Sequence, residues 1–252
     1  MNIFKKQFSA GFNQPVFAFV CAALSMTTVA LAQSSQPGWG STPYSNALGS
    51  GVTFRVWAPN ATSVYVPGTF NNWSTTETPL VQEQTNAAVD GIWSADVAGV
   101  TNGSQYKYYI NNNGGIWKHD PRSRWVTAAG SAPGANDIVY DPTAFNWNGD
   151  SLTPPALNDV FVYELHIGTF CTNGPGGFLG ATNKLDYLRS LGVNAVEVMP
   201  IAEFGNSGSS WGYDPAQPFA VDNSQYGRTG RIQNVCPVLS CPRHRRAVGH
   251  RA

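Results

Sequence analysis

Charge is scarce in this chain. Asp, Glu, Lys and Arg make up 12% of the 252 residues, with 15 acids and 15 bases. So little charge, beside 42% hydrophobic and 12% aromatic residues, excludes a disordered polyelectrolyte or a long charged helical rod. Cysteine is almost as rare, with four residues: Cys21, Cys171, Cys236 and Cys241. Cys21 lies in the apolar N-terminal stretch, and an odd number remains after it, which gives no disulfide framework. Long apolar runs are missing except at Val16 to Ala32. Lys5 and Lys6 precede that run, and Ala30-Leu31-Ala32 fits an A-x-A cleavage site. Residues 1–32 therefore read as a secretory signal peptide cut before Gln33. A membrane span would need ~20 mainly apolar residues, and Ser25, Thr27 and Thr28 interrupt this one. A lipid anchor at Cys21 would want a small residue where Val20 stands. The expected location is extracellular or periplasmic, with no membrane association after cleavage.

Acid is missing from the end of the chain. Between Gln33 and Gly227 lie seven Lys/Arg and all 15 Asp/Glu, whereas Arg228 to Ala252 holds six Arg, two His and no acid. The change falls inside what reads as a βα repeat. It is expected to mark a shifted reading frame or an unrelated splice, the alternative being a genuine basic interaction tail. Cys236, Cys241, His244 and His250 have metal-ligand chemistry. Only two residues separate the Cys pair from the His pair, where a zinc finger needs roughly a dozen, so no metal and no cofactor is expected. The Arg run could attract nucleic acid by charge. The folded part, at a net charge of about −8 from the counts above, argues against such a partner.

Gly, Asn, Ser and Thr are plentiful. Gln33 to Ser50 is rich in Gly, Ser, Pro and Asn and reads as a mobile leader. From Gly51 the pattern changes to short alternating runs. Val52, Phe54 and Val56 alternate with Thr53 and Arg55. Val64 and Val66 flank Tyr65, and Trp93, Ala95 and Val97 share a face. Tyr106, Tyr108 and Ile110 alternate with Lys107 and Tyr109, and Ile116 to Lys118 and Ile138 to Tyr140 are further short runs. Turn signals at Pro59-Asn60, Asn71-Asn72, Asp90-Gly91, Asn102-Gly103 and Asn113 to Gly115 separate them. Residues 51–141 are therefore expected to form an all-β, immunoglobulin-like sandwich. Residues 142–158, with Pro154-Pro155, read as a linker. After it, Val160 to Leu165 and Val193 to Met199 are apolar strands. Between them Thr182 could cap a helix carrying Leu185, Leu188 and Leu191, stopped at Gly192. That order predicts a parallel βαβ unit with both strands buried.

At VYELHIGTF, LGVNAVEVMPIAEF and WGYDP the chain resembles the α-amylase superfamily, glycoside hydrolase family 13. The resemblance is to the branch that holds glycogen-branching enzymes, maltooligosyl-trehalose trehalohydrolases and isoamylases. GVTFRVWAPNATSVYVPGTFNNW and YKYYINNNGGIWKHDP resemble the family-48 starch- and glycogen-binding sandwich of those enzymes. The resemblance covers roughly Leu48 to Gly227. It implies that residues 159–227 are the first part of a (β/α)8 barrel, and that residues 228–252 depart from the pattern. It also implies that Tyr213, in the loop after the second strand, serves as a platform under the sugar in a complete homologue, unless Trp211 and Tyr213 merely pack the loop.

Glycoside cleavage by a retaining mechanism needs two carboxyl groups about 5–5.5 Å apart. In the resembling enzymes these lie on later strands, and no Asp or Glu follows Asp222 here. Glu164, Glu197, Glu203 and Asp214 remain, but 69 residues from Asp159 to Gly227 fall short of the ~250 a closed barrel takes. No catalytic residue is therefore assigned, and Glu164 and His166 read as strand-end structural groups. The sandwich can still act. A glucose ring has an apolar C–H face on which an indole stacks. Trp73 and Trp117 follow turns, with Lys107 on an adjoining strand. In the similar module of AMP-activated kinase the matching Trp, Trp and Lys contact the sugar chain, and Asn136 resembles the Asn of that site. The competing expectation is that the tryptophans pack on a barrel. Substrate-binding residues are thus expected at Trp73, Lys107, Trp117, Asn136 and Tyr213, with starch, glycogen or maltooligosaccharide as partner. Three functions compete: a fragment of a secreted glucan-active enzyme, a stand-alone glucan-binding module, and a tail-driven nucleic-acid binder. Asn60-Ala-Thr62, Asn72-Trp-Ser74 and Asn102-Gly-Ser104 are glycosylation sequons in a eukaryotic host.

Overall fold

The computed structural model describes residues 32–47, 49–85, 88–127, 134–146, 153–171, 177–204, 211–224 and 226–227. The expected signal peptide, apart from Ala32, and the basic segment with Cys236, Cys241, His244 and His250 lie outside the described residues.

Among the described residues, nine strands build the first part. These are β1 (Gly40–Asn46), β2 (Gly49–Trp57), β3 (Ser63–Tyr65), β4 (Val81–Thr85), β5 (Ala88–Ala98), β6 (Gln105–Tyr106), β7 (Tyr108–Asn111), β8 (Gly115–Lys118) and β9 (Asp137–Ile138). One sheet has the order β1-β2-β5-β4, and a second has the order β3-β7-β8 with β6-β9 beside it. Alternation decides which side chains meet. Val52, Phe54, Val56, Trp93 and Ala95 from the first sheet pack against Val64, Val66, Tyr106, Tyr108 and Val139 from the second. The result is a sandwich-like core closed with an edge-on contact of Phe54 and Tyr106, 4.9 Å between centroids.

The structure corrects the reading of Gln33 to Ser50 as a leader. Gly40 to Asn46 is an edge strand, paired antiparallel from Gly40↔Arg55 to Asn46↔Gly49. The reason lies on the outer side of β2, where Thr53 and Arg55 are buried and need partners. The N-terminal arm supplies or shares them. Ser34 Oγ and Thr53 Oγ1 both donate to Asp96 Oδ1, at 2.5 and 2.6 Å. The Ser34 amide donates to Ser94 Oγ at 2.9 Å. Arg55 pairs with Glu83 at 2.7 Å and donates to the Gly38 carbonyl at 2.5 Å. The turn-rich composition hid this strand because an edge position tolerates residues such as Pro43.

The second part contains β10 (Val162–Leu165), α1 (Ile167–Phe170), α2 (Gly177–Thr182), α3 (Leu185–Ser190), β11 (Ala195–Val198), β12 (Ala202–Phe204) and β13 (Pro215–Val221). Strands β10 and β11 are parallel, in register from Val162↔Ala195 to Leu165↔Val198. Strands β12 and β13 pair antiparallel. Leu185 and Leu188 are buried beside Val193, and Gly192 ends the helix at φ 89°, as expected. Thr182 is not the helix cap. It is the last residue of α2, where its hydroxyl donates to the Phe178 carbonyl at 2.8 Å, and Lys184 precedes α3 instead. Nor are the parallel strands buried on both sides. Phe161, Val162, Val198 and Leu191 are all exposed, because β10 and β11 make a sheet of two strands among the described residues.

The two parts have separate apolar cores. A contact between them is the Arg122 guanidinium over the Phe219 ring, 4.9 Å from its centroid. Residues 153–159 between them are exposed. Limited proteolysis is expected to cut first between Asp141 and Asn158, leaving a sandwich fragment that mass spectrometry identifies. Protection running through Met199 would instead mark one cooperative unit.

Candidate functional site

The outward face of β3-β7-β8 gathers the aromatic residues. In a strand successive side chains point to opposite faces. With Tyr106 and Tyr108 fully buried, Gln105, Lys107 and Tyr109 must turn outward. Cross-strand register then sets Tyr65 beside Tyr109 and Tyr109 beside Trp117. The Tyr109 ring stands edge-on to Trp117 at 5.4 Å, and Trp117 is 46% exposed. Tyr109 lies over Gly115, where an added Cβ would fall within bonding distance of the phenol, so any side chain at that place would push the Tyr109 ring aside.

Trp73 reaches the same face from a turn. Residues Thr69–Asn71 form one turn of 3₁₀-helix, followed by Asn72 at φ 51° and Trp73 at φ 60°. A bulky residue at positive φ is uncommon and costs free energy, so something must hold it. Asn71 does. Its buried side chain accepts from the Gly68 amide at 2.8 Å and donates to the Val66 carbonyl at 2.9 Å and to Thr78 Oγ1 at 2.7 Å. The Trp73 amide donates to the Gly68 carbonyl at 2.9 Å. The outcome is a Trp73–Trp117 pair with centroids 6.4 Å apart and planes inclined at 51°.

Lys107 follows β6, and its amide donates to the Pro67 carbonyl at 3.0 Å, which ties it to the Trp73 turn. Asn136 lies at the start of β9. Its side-chain amide donates to Gln105 Oε1 at 2.9 Å, and its backbone amide donates to Thr127 Oγ1 at 2.9 Å. Trp73, Lys107, Trp117 and Asn136 thus come to one side of the sandwich. Tyr65, Gln105 and Tyr109 join them, and sequence reading did not select these three. Their signal was present in the alternation with Lys107, but a tyrosine in a strand is more often core than surface. The arrangement can stack sugar rings on inclined indoles and bond hydroxyls with the lysine and the two amides.

Tyr213 stands apart from this face. It is 64% exposed, in the connection to β13, after Trp211 and Gly212 at φ 51° and 83°. The Trp211 ring lies 5.1 Å from the His166 ring. His166 is held by Thr169 Oγ1 at 2.9 Å and the Tyr226 hydroxyl at 3.0 Å, a packed structural role. Burial, then the nearby Asp222 charge, pushes the Tyr226 phenol up to about 12. Glu164 and Glu197 are direct neighbours on β10 and β11, but both are exposed. Glu203 is buried and accepts the Asn223 amide at 3.1 Å. Among the described residues no group of three or more His, Cys, Asp or Glu could hold a metal ion, and no helix is long and apolar enough to cross a membrane.

Comparison with known families fits this geometry. Residues 39–144 match carbohydrate-binding module 48, the isoamylase N-terminal domain. This part of the chain is a family-48 carbohydrate-binding module. The chain is also 34% identical over 180 residues to the malto-oligosyltrehalose trehalohydrolase of Saccharolobus solfataricus, an alignment covering 71% of this chain and 29% of that enzyme. It is 33% identical over 210 residues to the 1,4-alpha-glucan branching enzyme GlgB of Oceanobacillus iheyensis, covering 79% and 31%. Among solved structures, an assigned alpha amylase from Salmonella typhimurium is similar at TM-score 0.67 and 30% identity, covering 81% of this chain and 31% of that one. The GBS pullulanase SAP in complex with maltotetraose shares the fold at TM-score 0.63 and 20% identity, covering 81% and 32%. The module and the strands after it are therefore related to the N-terminal region of glycoside hydrolase family 13 enzymes. The chain spans about 30% of the length of these relatives.

Proposed function

We propose that this chain binds α-glucan through the module face at Trp73, Lys107, Trp117 and Asn136. The observation that carries the reading is the inclined Trp73–Trp117 pair, 6.4 Å apart at 51°, with hydrogen-bonding side chains on the same side. Successive rings of an α-glucan turn relative to one another, and two inclined indoles suit that turn better than coplanar ones would. Residues 159–227 are read as the opening strands of a (β/α)8 barrel, with Tyr213 as the sugar platform of a complete relative. The chain itself is read as the N-terminal fragment of an exported enzyme that cleaves or transfers α-glucosidic bonds. It has no catalysis of its own, because its neighbouring acids Glu164 and Glu197 sit exposed on a two-stranded sheet, outside the enclosed carboxyl pair that glycoside cleavage uses. The nucleic-acid reading rests on the Arg228–Ala252 composition alone.

Electrophoresis through gels containing glycogen, run beside a reducing-sugar assay, tests this. Retardation by glycogen with no released sugar is expected. Starch hydrolysis lost on Glu164→Gln or Glu203→Gln substitution would overturn the absence of catalysis. Binding to DNA but not glycogen at moderate salt would favour the tail.

A further inference from the structure

Two polar side chains of the glucan face are bonded to each other. Asn136 Nδ2 donates to Gln105 Oε1 at 2.9 Å, across 31 residues of sequence. Both residues are half-buried, where an amide without a partner costs free energy. The antiparallel pair β6-β9 makes the meeting possible. Gln105 stands opposite Ile138 and Tyr106 opposite Asp137, so Asn136 lies diagonally from Gln105, a spacing that long side chains bridge. The same register carried one residue further sets Lys107 across from Asn136.

Gln105 is also seated on the backbone that carries the Trp73 indole. Its amide donates to Thr69 Oγ1 at 3.2 Å, in the 3₁₀ turn that leads to Trp73. Gly68 forms a bridge with Tyr106, and a Cβ on Gly68 would stand 2.6 Å from the Gln105 carbonyl oxygen. The Gly68 carbonyl in turn accepts the Trp73 amide. One residue therefore touches both the turn under the indole and the amide of Asn136. We propose that Gln105 is a positioning residue of this face: its Oε1 takes the Asn136 Nδ2 and so leaves Asn136 Oδ1 as the acceptor for a sugar hydroxyl. The proposal rests on the glucan reading of the face.

The physical cause is the asymmetry of a primary amide, which carries its acceptor and its donors on opposite arms. With the donor arm engaged by Gln105, the acceptor arm is the one turned to a ligand. Lys107 supplies the other polarity, because an ammonium only donates. A sugar hydroxyl both donates and accepts, so it can give its proton to Asn136 Oδ1 and take one from Lys107. Released from Gln105, the Asn136 amide would turn about its last bond and present its NH2 group as readily as its oxygen. A ligand would then have to fix that rotation itself, at a loss of about one net hydrogen bond, or roughly fivefold in affinity.

A double-mutant cycle over Gln105 and Asn136 tests this, with the full chain titrated calorimetrically against maltoheptaose. Gln105→Leu is expected to bind about fivefold more weakly. Gln105→Glu keeps the acceptor for Asn136 Nδ2 and should bind nearly as the wild type does. In an Asn136→Ala background Gln105→Leu should cost nothing further, since no amide is left to orient. A Gln105→Leu loss that persists in full after Asn136→Ala would make Gln105 a direct sugar contact and overturn the positioning role. A Gln105→Glu loss as large as that of Gln105→Leu would mean that the amide is held the other way round, and would overturn it too. Should Gln105→Leu not fold, the Gln105→Glu comparison decides alone. A second readout is the ¹⁵N spectrum of the Asn136 side chain in the absence of sugar. Its two amide protons should be well separated, one of them bonded, and should draw together in Gln105→Leu. A wild type that binds no maltoheptaose removes the glucan reading and the positioning role with it, and the Asn136 spectrum then shows whether the orienting bond itself stands.

Discussion

Alanine at both Trp73 and Trp117 is expected to abolish retardation by glycogen while leaving the module folded. Each indole offers ~150–250 Å² to a sugar, and an anchoring ring is worth on the order of 1–2 kcal/mol when truncated. Together the two losses come to about 3 kcal/mol, roughly a 150-fold fall in affinity at 1.4 kcal/mol per tenfold. Stability should change little, because neither ring belongs to the buried cluster shared by the two sheets. Titration calorimetry with maltoheptaose reads the affinity, and a thermal melt reads the fold. Equal affinity in the double variant would remove the ligand from this face. Each single variant should retain part of the binding, since Tyr109 still holds Trp117 from the side when Trp73 is gone.

The second large effect is expected at a residue that touches no ligand. Asn71→Ala should cost the module about 2–4 kcal/mol, because it removes three hydrogen bonds and leaves the Gly68 amide and the Val66 carbonyl buried without their partner. For a domain of this size that is a fall of roughly 10–20 °C in melting temperature. The same change frees the turn that holds Asn72 and Trp73 at positive φ. Glucan affinity should therefore drop even at temperatures where the variant is still folded. Asn71→Asp keeps the acceptor for Gly68 and loses both donors, so it should fall between the two. A variant that melts like the wild type would mean that the strained turn is held by its backbone hydrogen bonds alone.

Much of the sandwich was legible in sequence because burial there follows a period of two. Val52, Phe54, Val56, Tyr106 and Tyr108 announced their strands, and all five are in the core. The first strand was not legible, because backbone pairing with β2 and the polar clamps of Ser34 and Arg55 on the arm before it hold it in place, and neither leaves a hydrophobic pattern. Trp73, Lys107, Trp117 and Asn136 were selected through turn positions and family resemblance. The structure adds why they meet, namely the Asn71 network and the cross-strand register of Tyr109 with Trp117. Gln105 escaped notice because its role depends on Asn136, 31 residues away, and no local pattern reports such a pair. Thr182 misled because a threonine before leucines is a common start of a helix. Here its hydroxyl finds a carbonyl one turn back, closing α2 instead.

The tip of the Asn71 turn bears on how the protein is made. Asn72 is exposed and opens the sequence Asn72-Trp73-Ser74, which a glycosylating host reads as an acceptor. A glycan there would rise from the residue beside Trp73, over the aromatic face. Material from a yeast or insect cell could then be well folded and yet unable to hold glycogen, whereas bacterial material would bind. On the proposed reading, the choice of expression host thus decides whether the aromatic face is open at all.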